Sequence, residues 1–398
     1  MSGLMHPRNP HPSSPTMSAH SPHAHGNKAR RLREAAERLL AAADVRIDGP
    51  RDSDLQVHDA RVFERVFAHG SLGFGESYMD GDWSARDLPG LLTKLLGARL
   101  DERLRNIGTL LLWAQARFVN LQRGKRAYVV GQRHYDLGND LFAAMLGKRL
   151  VYSCGYWAEA TDLDAAQEAK LDLVCRKLRL RPDMRVLDIG CGWGEALKFA
   201  AERYGVRGVG VTISREQAAH ASALCAGLPV EIRLQDYRDL HEPFDAVFSI
   251  GMFEHVGARN YRTYFDVVRR CLAPGGLSLL HTIGSNQPPN RPDPWIARYI
   301  FPNSQVPSMR QVAAALEGRF VVEDWHNFGP DYDRTLQAWM ANFDAAWPRL
   351  SQCYDERFRR MWWFYLAASA ATFRTRRDQL WQLTLSAEGV PGGYRVPR

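Results

Sequence analysis

Cysteines are few in this sequence, and their spacing is not that of metal or disulfide sites. The six cysteines form no CxxC pair and no Cys/His grouping with zinc-finger spacing, so neither a zinc site nor a disulfide framework is indicated. Long apolar runs are absent as well, because no window reaches the roughly 18 uncharged apolar residues of a membrane span. We therefore expect a chain in a reducing, cytoplasmic compartment that does not cross a bilayer but can lie on one.

The first 27 residues also lack an apolar stretch, and this excludes a secretory signal peptide. Their richness in His, Pro and Ser predicts a disordered tail over residues 1–27. What the chain has in excess is positive charge, with a formal net charge of +8. Such a charge favours an anionic partner, which is a nucleic acid, an acidic membrane surface or a charged small molecule. Charge alone does not choose among these three.

Two regions of different pattern follow the tail, and the first is residues 28–120. It combines an amphipathic helix, a glycine-punctuated turn at 70–83 and further helices, which predicts a small α+β or helical domain for dimerisation or membrane docking. Within it, residues 91–126 interleave leucines and aromatic residues with Arg and Lys. One face of this segment is a candidate for contact with an anionic lipid surface. The alternative is a helix packed on the protein's own core with a solvated basic face.

Residues 121–398 are predicted to form an α/β domain. Short apolar, β-branched runs alternate with helical stretches from about residue 185, and this alternation predicts a mostly parallel sheet covered on both faces. The segment 331–380 is predicted to be helical and rich in aromatic residues, and "QLWQLTLS" is a candidate final strand. The other predicted strands of the sheet are residues 185–190, 207–213, 229–234, 245–250 and 276–283.

A glycine-rich turn follows the first of these strands, in "VLDIGCGWGE" at 186–195. Asp188 stands two residues before Gly190, and Gly192 and Gly194 follow, so the backbone can turn tightly and approach a ligand at the carboxyl edge of the sheet. The spacing is neither GxGxxG nor GxxxxGK[ST], whereas DxGxGxG is typical of enzymes that bind S-adenosylmethionine. We therefore interpret the turn as part of a binding site for S-adenosylmethionine.

Side chains after the next two strands are candidates for the rest of this cofactor site. The second strand leads into "VTISREQ" without the acidic residue that often holds ribose hydroxyls, so Thr212, Ser214 or Gln217 must substitute for it. Asp236, in "LQDYRDL", is a candidate acceptor for the adenine amine. Its alternative role is to cap a helix or turn.

Glu254 and His281 are the candidate reactive pair. Glu254 follows the fourth strand in "GMFEHV" and His281 lies at the end of the fifth in "LLHTIG", and the carboxyl ends of neighbouring parallel strands lie close together. Together these side chains are suited to acid and base chemistry. The alternatives are a helix cap for Glu254 and an ordinary hydrogen-bonded, partly buried residue for His281. The fourth strand is not followed by [DN]PP[YFW] and the chain has no Pro-Cys dipeptide, which disfavours nucleic-acid methyltransferases.

Ten motifs, in order along the chain, make the sequence similar to one known family. They are "HYDLGNDLF", "YSCGYW", "VLDIGCGWG", "VTISREQ", "LQDYRDL", "GMFEHVG", "LLHTIGS", "DPWIARYIFPN", "EDWHNFG" and "DYDRTLQAW". Together with "GSLGFGESYMDGDW", they resemble the cyclopropane-fatty-acyl-phospholipid synthase family from about residue 45 to the C-terminus. The resemblance implies the Rossmann-like fold of class I S-adenosylmethionine-dependent methyltransferases, with a seven-stranded, mostly parallel sheet, a smaller N-terminal domain and a helical lid insertion.

The resemblance also implies an activity and partners. In the family, a methylene group from S-adenosylmethionine is added to the cis double bond of an unsaturated acyl chain in a membrane phospholipid, giving a cyclopropane ring and S-adenosylhomocysteine. A homodimer bound peripherally to the inner face of the membrane is implied, with no nucleic-acid partner. Two alternatives stay open. One is a fatty-acyl C-methyltransferase that stops at a methyl or methylene branch, and the other is a protein that binds S-adenosylmethionine and lipid without turnover.

Site residues are carried over from the resemblance position by position. A bound bicarbonate ion is implied as the base that removes a proton before the ring closes, and no metal ion is expected. Its implied ligands are Cys154, Glu254, His281, Tyr332 and the backbone of Ile283. The implied cofactor contacts are Tyr152, Ser153, Asp188, Gly190, Cys191, Gly192, Trp193, Gly194, Thr212, Ser214, Gln217 and Asp236. His255, beside Glu254, is expected to be structural.

Overall fold

The computed structural model describes residues 22–100, 138–287 and 292–398. Within these ranges the α-helices are α1 (Pro22–Ala41), α2 (Arg61–Met79), α3 (Leu88–Gly97), α4 (Asn139–Met145), α5 (Leu163–Lys177), α6 (Glu195–Tyr204), α7 (Arg215–Leu224), α8 (Tyr261–Cys271), α9 (Pro294–Tyr299), α10 (Met309–Leu316), α11 (Pro330–Leu350) and α12 (Glu356–Arg374). The strands are β1 (Gln56–Val57), β2 (Trp83–Ser84), β3 (Arg185–Ile189), β4 (Arg207–Thr212), β5 (Val230–Leu234), β6 (Phe244–Ile250), β7 (Leu272–Gly284), β8 (Val321–Asn327) and β9 (Gln379–Ser386).

Seven of these strands form one sheet in the order β5-β4-β3-β6-β7-β9-β8. The strands from β5 to β7 are parallel to one another, and β9 runs antiparallel to both β7 and β8. After β3 the chain adds strands on one side, and from β6 onward it adds them on the other. The carboxyl ends of β3 and β6 therefore flank the crevice at which open α/β sheets bind ligands.

The predicted strands of the sheet and the final strand are present as β3, β4, β5, β6, β7 and β9. The helical prediction for 331–380 is also confirmed, since α11 and α12 occupy most of it. β8 was not predicted. It lies at the edge of the sheet, and its sequence "VVEDWHN" has neither an apolar run nor a regular alternation, because an edge strand is not buried on all sides.

The prediction of a glycine-punctuated turn at 70–83 is wrong for most of that segment. α2 continues to Met79, with only a kink at Gly70, whose φ is 56°. The next glycines allow close contacts of this helix: a Cβ on Gly73 would lie 2.0 Å from the Arg65 carbonyl oxygen, and one on Gly75 would lie 2.4 Å from Cδ1 of Trp295 on α9. In this segment glycine allows the helix backbone to lie close to neighbouring atoms as often as it forms a turn.

The N-terminal region shares its hydrophobic core with the C-terminal helices. One cluster of buried apolar residues includes Val62 and Trp83 together with Trp362 and Phe373. α1 begins at Pro22, so residues 22–27 are helical rather than part of a disordered tail, because an established helix extends at low cost. Most of the predicted docking segment 91–126 lies outside the described residues.

Candidate active site

The glycine-rich turn lies between β3 and α6, at the carboxyl edge of the sheet. Gly190, Gly192 and Gly194 have φ angles of 85°, 54° and 90°, which only glycine adopts readily. A Cβ on Gly190 would meet the Met252 side chain at 2.5 Å, but one on Gly192 would meet no atom within 4 Å. The middle of the turn therefore presents bare backbone to open space, as a close-lying ligand requires.

Asp188 ends up buried directly before this turn. It is 2% exposed, and among the described residues its Oδ1 atom has no hydrogen-bond partner. Burial raises the pKa of Asp188 to about 8, against an opposing effect of the Lys170 ammonium. A buried carboxyl oxygen without a donor is costly, so a ligand that supplies a donor or a positive charge fits this position.

The other predicted cofactor contacts lie around the same crevice. Thr212, at the end of β4, donates from Oγ1 to Oε1 of Gln217 at 2.9 Å, and Ser214 caps α7 by accepting from the Gln217 backbone N–H at 3.3 Å. Asp236 accepts from the Arg238 backbone N–H at 3.0 Å. Burial alone would raise the pKa of Asp236, but its hydrogen bonds to Arg238 outweigh burial and lower it. Asp236 thus caps a short 3₁₀ helix, and its role toward adenine stays a prediction.

The segment carrying Tyr152, Ser153 and Cys154 is held by side chains of α5. Ser153 is buried, and its Oγ atom accepts from the Lys170 ammonium at 3.0 Å. Its carbonyl oxygen accepts from Nε2 of Gln167 at 2.8 Å. The Tyr152 hydroxyl lies 2.7 Å from that of Tyr365 on α12. Cys191 and Trp193, within the glycine turn, are buried side chains that pack into the interior.

Glu254 lies in a single 3₁₀ turn after β6 and is 8% exposed. Its Oε1 atom accepts a hydrogen bond from the Ile283 backbone N–H at 2.6 Å. The Ile283 N–H is therefore occupied by Glu254 itself. The other oxygen, Oε2, is buried and has no partner among the described residues. Burial is the main reason why the pKa of Glu254 is raised, which favours the protonated carboxyl group.

His281 lies on β7, where it pairs with Ile250 at the end of β6. It is 1% exposed, and burial lowers its pKa well below the usual range, so the ring is neutral. Its Nδ1 atom lies 3.2 Å from Nε2 of Gln382, whereas its Nε2 atom has no partner in the part of the chain that is described. Glu254 and His281 thus lie at neighbouring strand ends, since Glu254 bonds to Ile283, two residues after His281. Each has one polar atom without a partner among the described residues.

Cys154, Ile283 and Tyr332 share a small apolar cluster with Phe328 and Leu380. The Cys154 side chain is fully buried and donates weakly to the Gly155 carbonyl oxygen at 3.1 Å. Burial raises the pKa of Cys154 well above its usual value, so it remains a thiol. Tyr332, on α11, stacks on Phe373 with ring centroids 4.5 Å apart. Burial, with smaller effects of Tyr365, Cys154 and Glu254, raises its pKa, so it remains a phenol.

Comparison with known proteins decides the family. Residues 122–383 match the family model of mycolic acid cyclopropane synthetases. The chain belongs to this family. It is 53% identical over 364 residues to the cyclopropane-fatty-acyl-phospholipid synthase of Escherichia coli (strain K12), covering 91% of this chain and 95% of that protein. It is also 34% identical over 374 residues to the tuberculostearic acid methyltransferase UfaA1 of Mycobacterium tuberculosis (strain ATCC 25618 / H37Rv), covering 86% and 85% of the two chains.

A solved member of the family has the same fold. The crystal structure of mycolic acid cyclopropane synthase CmaA1, complexed with SAH and CTAB, superposes with a TM-score of 0.60 at 34% identity, covering 65% of this chain and 97% of that one. The predicted class I methyltransferase fold and the predicted enzyme class are therefore confirmed. The roles of the individual site residues stay predictions.

Lys170 and Gln167 were missed by the sequence reasoning, although a signal for them was present. On α5 the buried positions include Ala166, Gln167, Lys170, Leu171 and Lys177, so three polar residues lie among the buried apolar residues of the helix. A fully buried lysine is rare unless it is paired with another group or has a functional role. Burial lowers the pKa of Lys170 to about 7, and its charge acts on both Cys154 and Asp188.

Proposed function

We propose that the protein transfers a methylene group from S-adenosylmethionine to the cis double bond of unsaturated acyl chains in membrane phospholipids, forming a cyclopropane fatty acid and S-adenosylhomocysteine. One observation carries the proposal. Oε2 of Glu254 and Nε2 of His281, which have no partner in the described part of the chain, are buried at neighbouring strand ends, near the apolar cluster around Cys154 and Tyr332. Acid and base groups are thus available where water is excluded.

S-adenosylmethionine supplies an electrophilic methyl group when it is bound. Asp188, the turn from Gly190 to Gly194, and the pair Thr212 and Gln217 would hold it, and the bare backbone at Gly192 fits such a ligand. Attack by the double bond leaves a positive charge on the acyl chain, and a proton must then leave the new methyl carbon so that the ring closes. The Tyr332 ring would stabilise that cation through its π face.

Bicarbonate fits the Glu254 and His281 side chains that the family resemblance implies as its ligands, whereas the Ile283 N–H is already bonded to Glu254. A small ion between Glu254 and His281 would provide a partner for Oε2 of Glu254 and for Nε2 of His281, both of which lack one within the described ranges. An ionised carboxylate would repel an anion, but the raised pKa of Glu254 favours a protonated group that can donate a hydrogen bond to it. When bound, bicarbonate would supply the base for the final deprotonation.

Contact with the bilayer and dimerisation are further parts of the proposal. The net charge of +8 supports a peripheral location on an anionic, cytoplasmic membrane surface. Within the described residues, no helix has both the length and the apolar character needed to traverse a bilayer. The aromatic side chains of α12 are mostly buried, including Trp362, Phe364 and Tyr365, so this helix is a weaker candidate for docking than residues 91–126.

A second candidate function is C-methylation that stops before ring closure. It is favoured by the 34% identity to a protein named as a tuberculostearic acid methyltransferase. The chain retains Cys154, Glu254, His281 and Tyr332, so a site for the final deprotonation is available, and this favours cyclopropane formation over a branched product.

Product analysis distinguishes these functions. Purified protein is incubated with S-adenosylmethionine and vesicles of a cis-unsaturated phospholipid, and the acyl chains are examined by mass spectrometry. We expect a gain of one CH2 without a remaining double bond. A gain with the double bond retained would support branch formation instead. Binding of S-adenosylmethionine without any gain would support a non-catalytic protein. Vesicles of a saturated phospholipid are the control and should give no product.

A further inference from the structure

A row of three polar side chains crosses the antiparallel end of the sheet on one face. His281 on β7 pairs with Gln382 on β9, and Gln382 pairs with His326 on β8. Directly paired residues of neighbouring strands project from the same face. His281 and Gln382 are 1% and 0% exposed, and Nε2 of Gln382 lies 3.2 Å from Nδ1 of His281. The His281 imidazole is therefore hydrogen-bonded through Nδ1 to the side-chain amide of Gln382 on the next strand.

The polarity of this hydrogen bond follows from the chemistry of the amide. The NH2 group of Gln382 can only donate, so Nδ1 of His281 must accept with a free lone pair. Burial, with smaller effects of Lys170 and Lys177, keeps the ring neutral by lowering its pKa. A neutral imidazole carries one proton, which is then on Nε2, the nitrogen that has no partner among the described residues.

Lys177 explains why the amide has this orientation. Its buried ammonium lies 3.3 Å from Nδ1 of His326, on the β8 side of Gln382. It is paired with Asp324 at 2.9 Å, and Arg398 contacts the same carboxylate at 2.7 Å. The Lys177 ammonium favours the amide orientation in which the carbonyl oxygen of Gln382, which has no hydrogen-bond partner among the described residues, faces β8 and the NH2 group faces β7.

We infer that Gln382 is a positioning residue that holds His281 as the Nε2–H tautomer, so that the ring donates a hydrogen bond into the pocket. This inference rests on the proposed function, in which the acceptor is an oxygen of the bicarbonate ion. The opposite tautomer would direct a lone pair at the anion and repel it. The amide therefore acts on catalysis through the histidine, without touching the substrate.

The tautomer is directly measurable by NMR of protein labelled with ¹⁵N-histidine, with the His281 signals assigned from the spectrum of His281→Gln. We expect the His281 ring proton on Nε2 in the unmodified protein. A proton on Nδ1 would overturn the inference. This measurement needs no catalytic activity, so its outcome does not depend on whether the proposed function is correct.

Two variants then link the tautomer to turnover, measured as release of S-adenosylhomocysteine. Gln382→Glu places an acceptor opposite Nδ1, so we expect the proton to move to Nδ1 and turnover to fall about tenfold or more. Gln382→Leu removes the donor and should give a mixture of tautomers with a smaller loss. Thr384→Val, on the same face of β9 and equally buried, is the matched control and should stay within about twofold of the unmodified protein.

Affinity for S-adenosylmethionine separates a positioning role from a structural one. In both Gln382 variants it should remain within about twofold, because cofactor contacts are unchanged. A changed tautomer with unchanged turnover would overturn the inference. If the variants no longer bind S-adenosylmethionine, the spectrum of the unmodified protein decides the question alone. Release of S-adenosylhomocysteine without a cyclopropane product would contradict the proposed function but not the role of Gln382.

Discussion

Burial shifts the pKa values of individual pocket residues so that their uncharged forms are favoured. The pKa of Asp188 is raised to about 8, and that of Lys170 is lowered to about 7. Burial likewise raises the pKa of Glu254 and lowers that of His281. Because water is excluded, the charged forms of these residues are disfavoured. A cationic ligand therefore binds into a pocket whose own charge depends on pH near neutrality.

The preference for S-adenosylmethionine over S-adenosylhomocysteine should increase with pH. As the pH rises, Lys170 loses its positive charge near 7 and Asp188 gains a negative charge near 8. Both changes favour the sulfonium, which the homocysteine product lacks. Calorimetric titration of both ligands between about pH 6.5 and about pH 9 should show the ratio of dissociation constants rising roughly fivefold or more.

Lys170→Met tests the source of this pH dependence. Without the lysine, Asp188 loses a cation that favours its ionisation, so the rise in preference should shift to higher pH. Lys148→Met, at a side chain that is 86% exposed, is the control and should behave like the unmodified protein. A ratio that does not change with pH in the unmodified protein would contradict the account of both residues.

Glu254→Gln should lower turnover by about a hundredfold. The amide oxygen can still accept from the Ile283 N–H, but the buried acid oxygen is replaced by an NH2 group. The dissociation constant of S-adenosylmethionine should change by less than about twofold, since Glu254 makes no proposed contact with it. The control is Glu317→Gln, at an exposed position. Turnover equal to that of the control would remove Glu254 from the mechanism.

Among the elements, the contact of α2 with α9 and α12 depends on a glycine. Trp295 of α9 donates from Nε1 to the Met79 sulfur at 3.4 Å and packs edge-on against Phe364 of α12, with centroids 4.7 Å apart. Gly75 lets α2 approach this tryptophan, because a Cβ there would overlap the indole ring. Glycine lowers the helix propensity of α2, but it allows the close contact with Trp295 that stabilises the helix in the folded protein.

Gly75→Ala should lower the free energy of unfolding by about 2 kcal/mol, because a buried tryptophan can move little to make room. The matched control is Gly97→Ala at the end of α3, where a Cβ would meet nothing closer than 4.0 Å. It should be neutral or stabilise by up to about 1 kcal/mol through helix propensity. Denaturant unfolding measures both changes. Equal stabilities for the two variants would contradict this description of the interface.

For the whole molecule, the N-terminal and C-terminal helices are joined by one hydrophobic core. Phe74 stacks on Trp83 at 4.2 Å, and Arg360 of α12 donates to the Trp83 carbonyl oxygen at 2.8 Å. The N-terminal helices are therefore fixed relative to α12, which also reaches the pocket through the hydrogen bond between Tyr365 and Tyr152.

Binding to vesicles should depend on lipid charge and on salt. With a net charge of +8, we expect affinity for vesicles containing anionic phospholipid to fall about tenfold or more as salt rises from about 50 mM to about 300 mM. Sedimentation of protein with vesicles measures this. Vesicles of phosphatidylcholine alone are the control and should bind weakly at every salt concentration. Equal binding to both vesicle types would contradict electrostatic docking.

The sequence by itself determined the strands from β3 to β7, the final strand β9 and the cofactor turn, because these depend on local patterns of apolar residues and glycine. It also indicated Glu254 and His281, since both follow from strand order. Only the tertiary structure decided their partners. The amide of Gln382 lies 101 residues from His281 along the chain, and its contact depends on the register of β9. The burial of Lys170 likewise depends on how α5 packs, which no local pattern fixes.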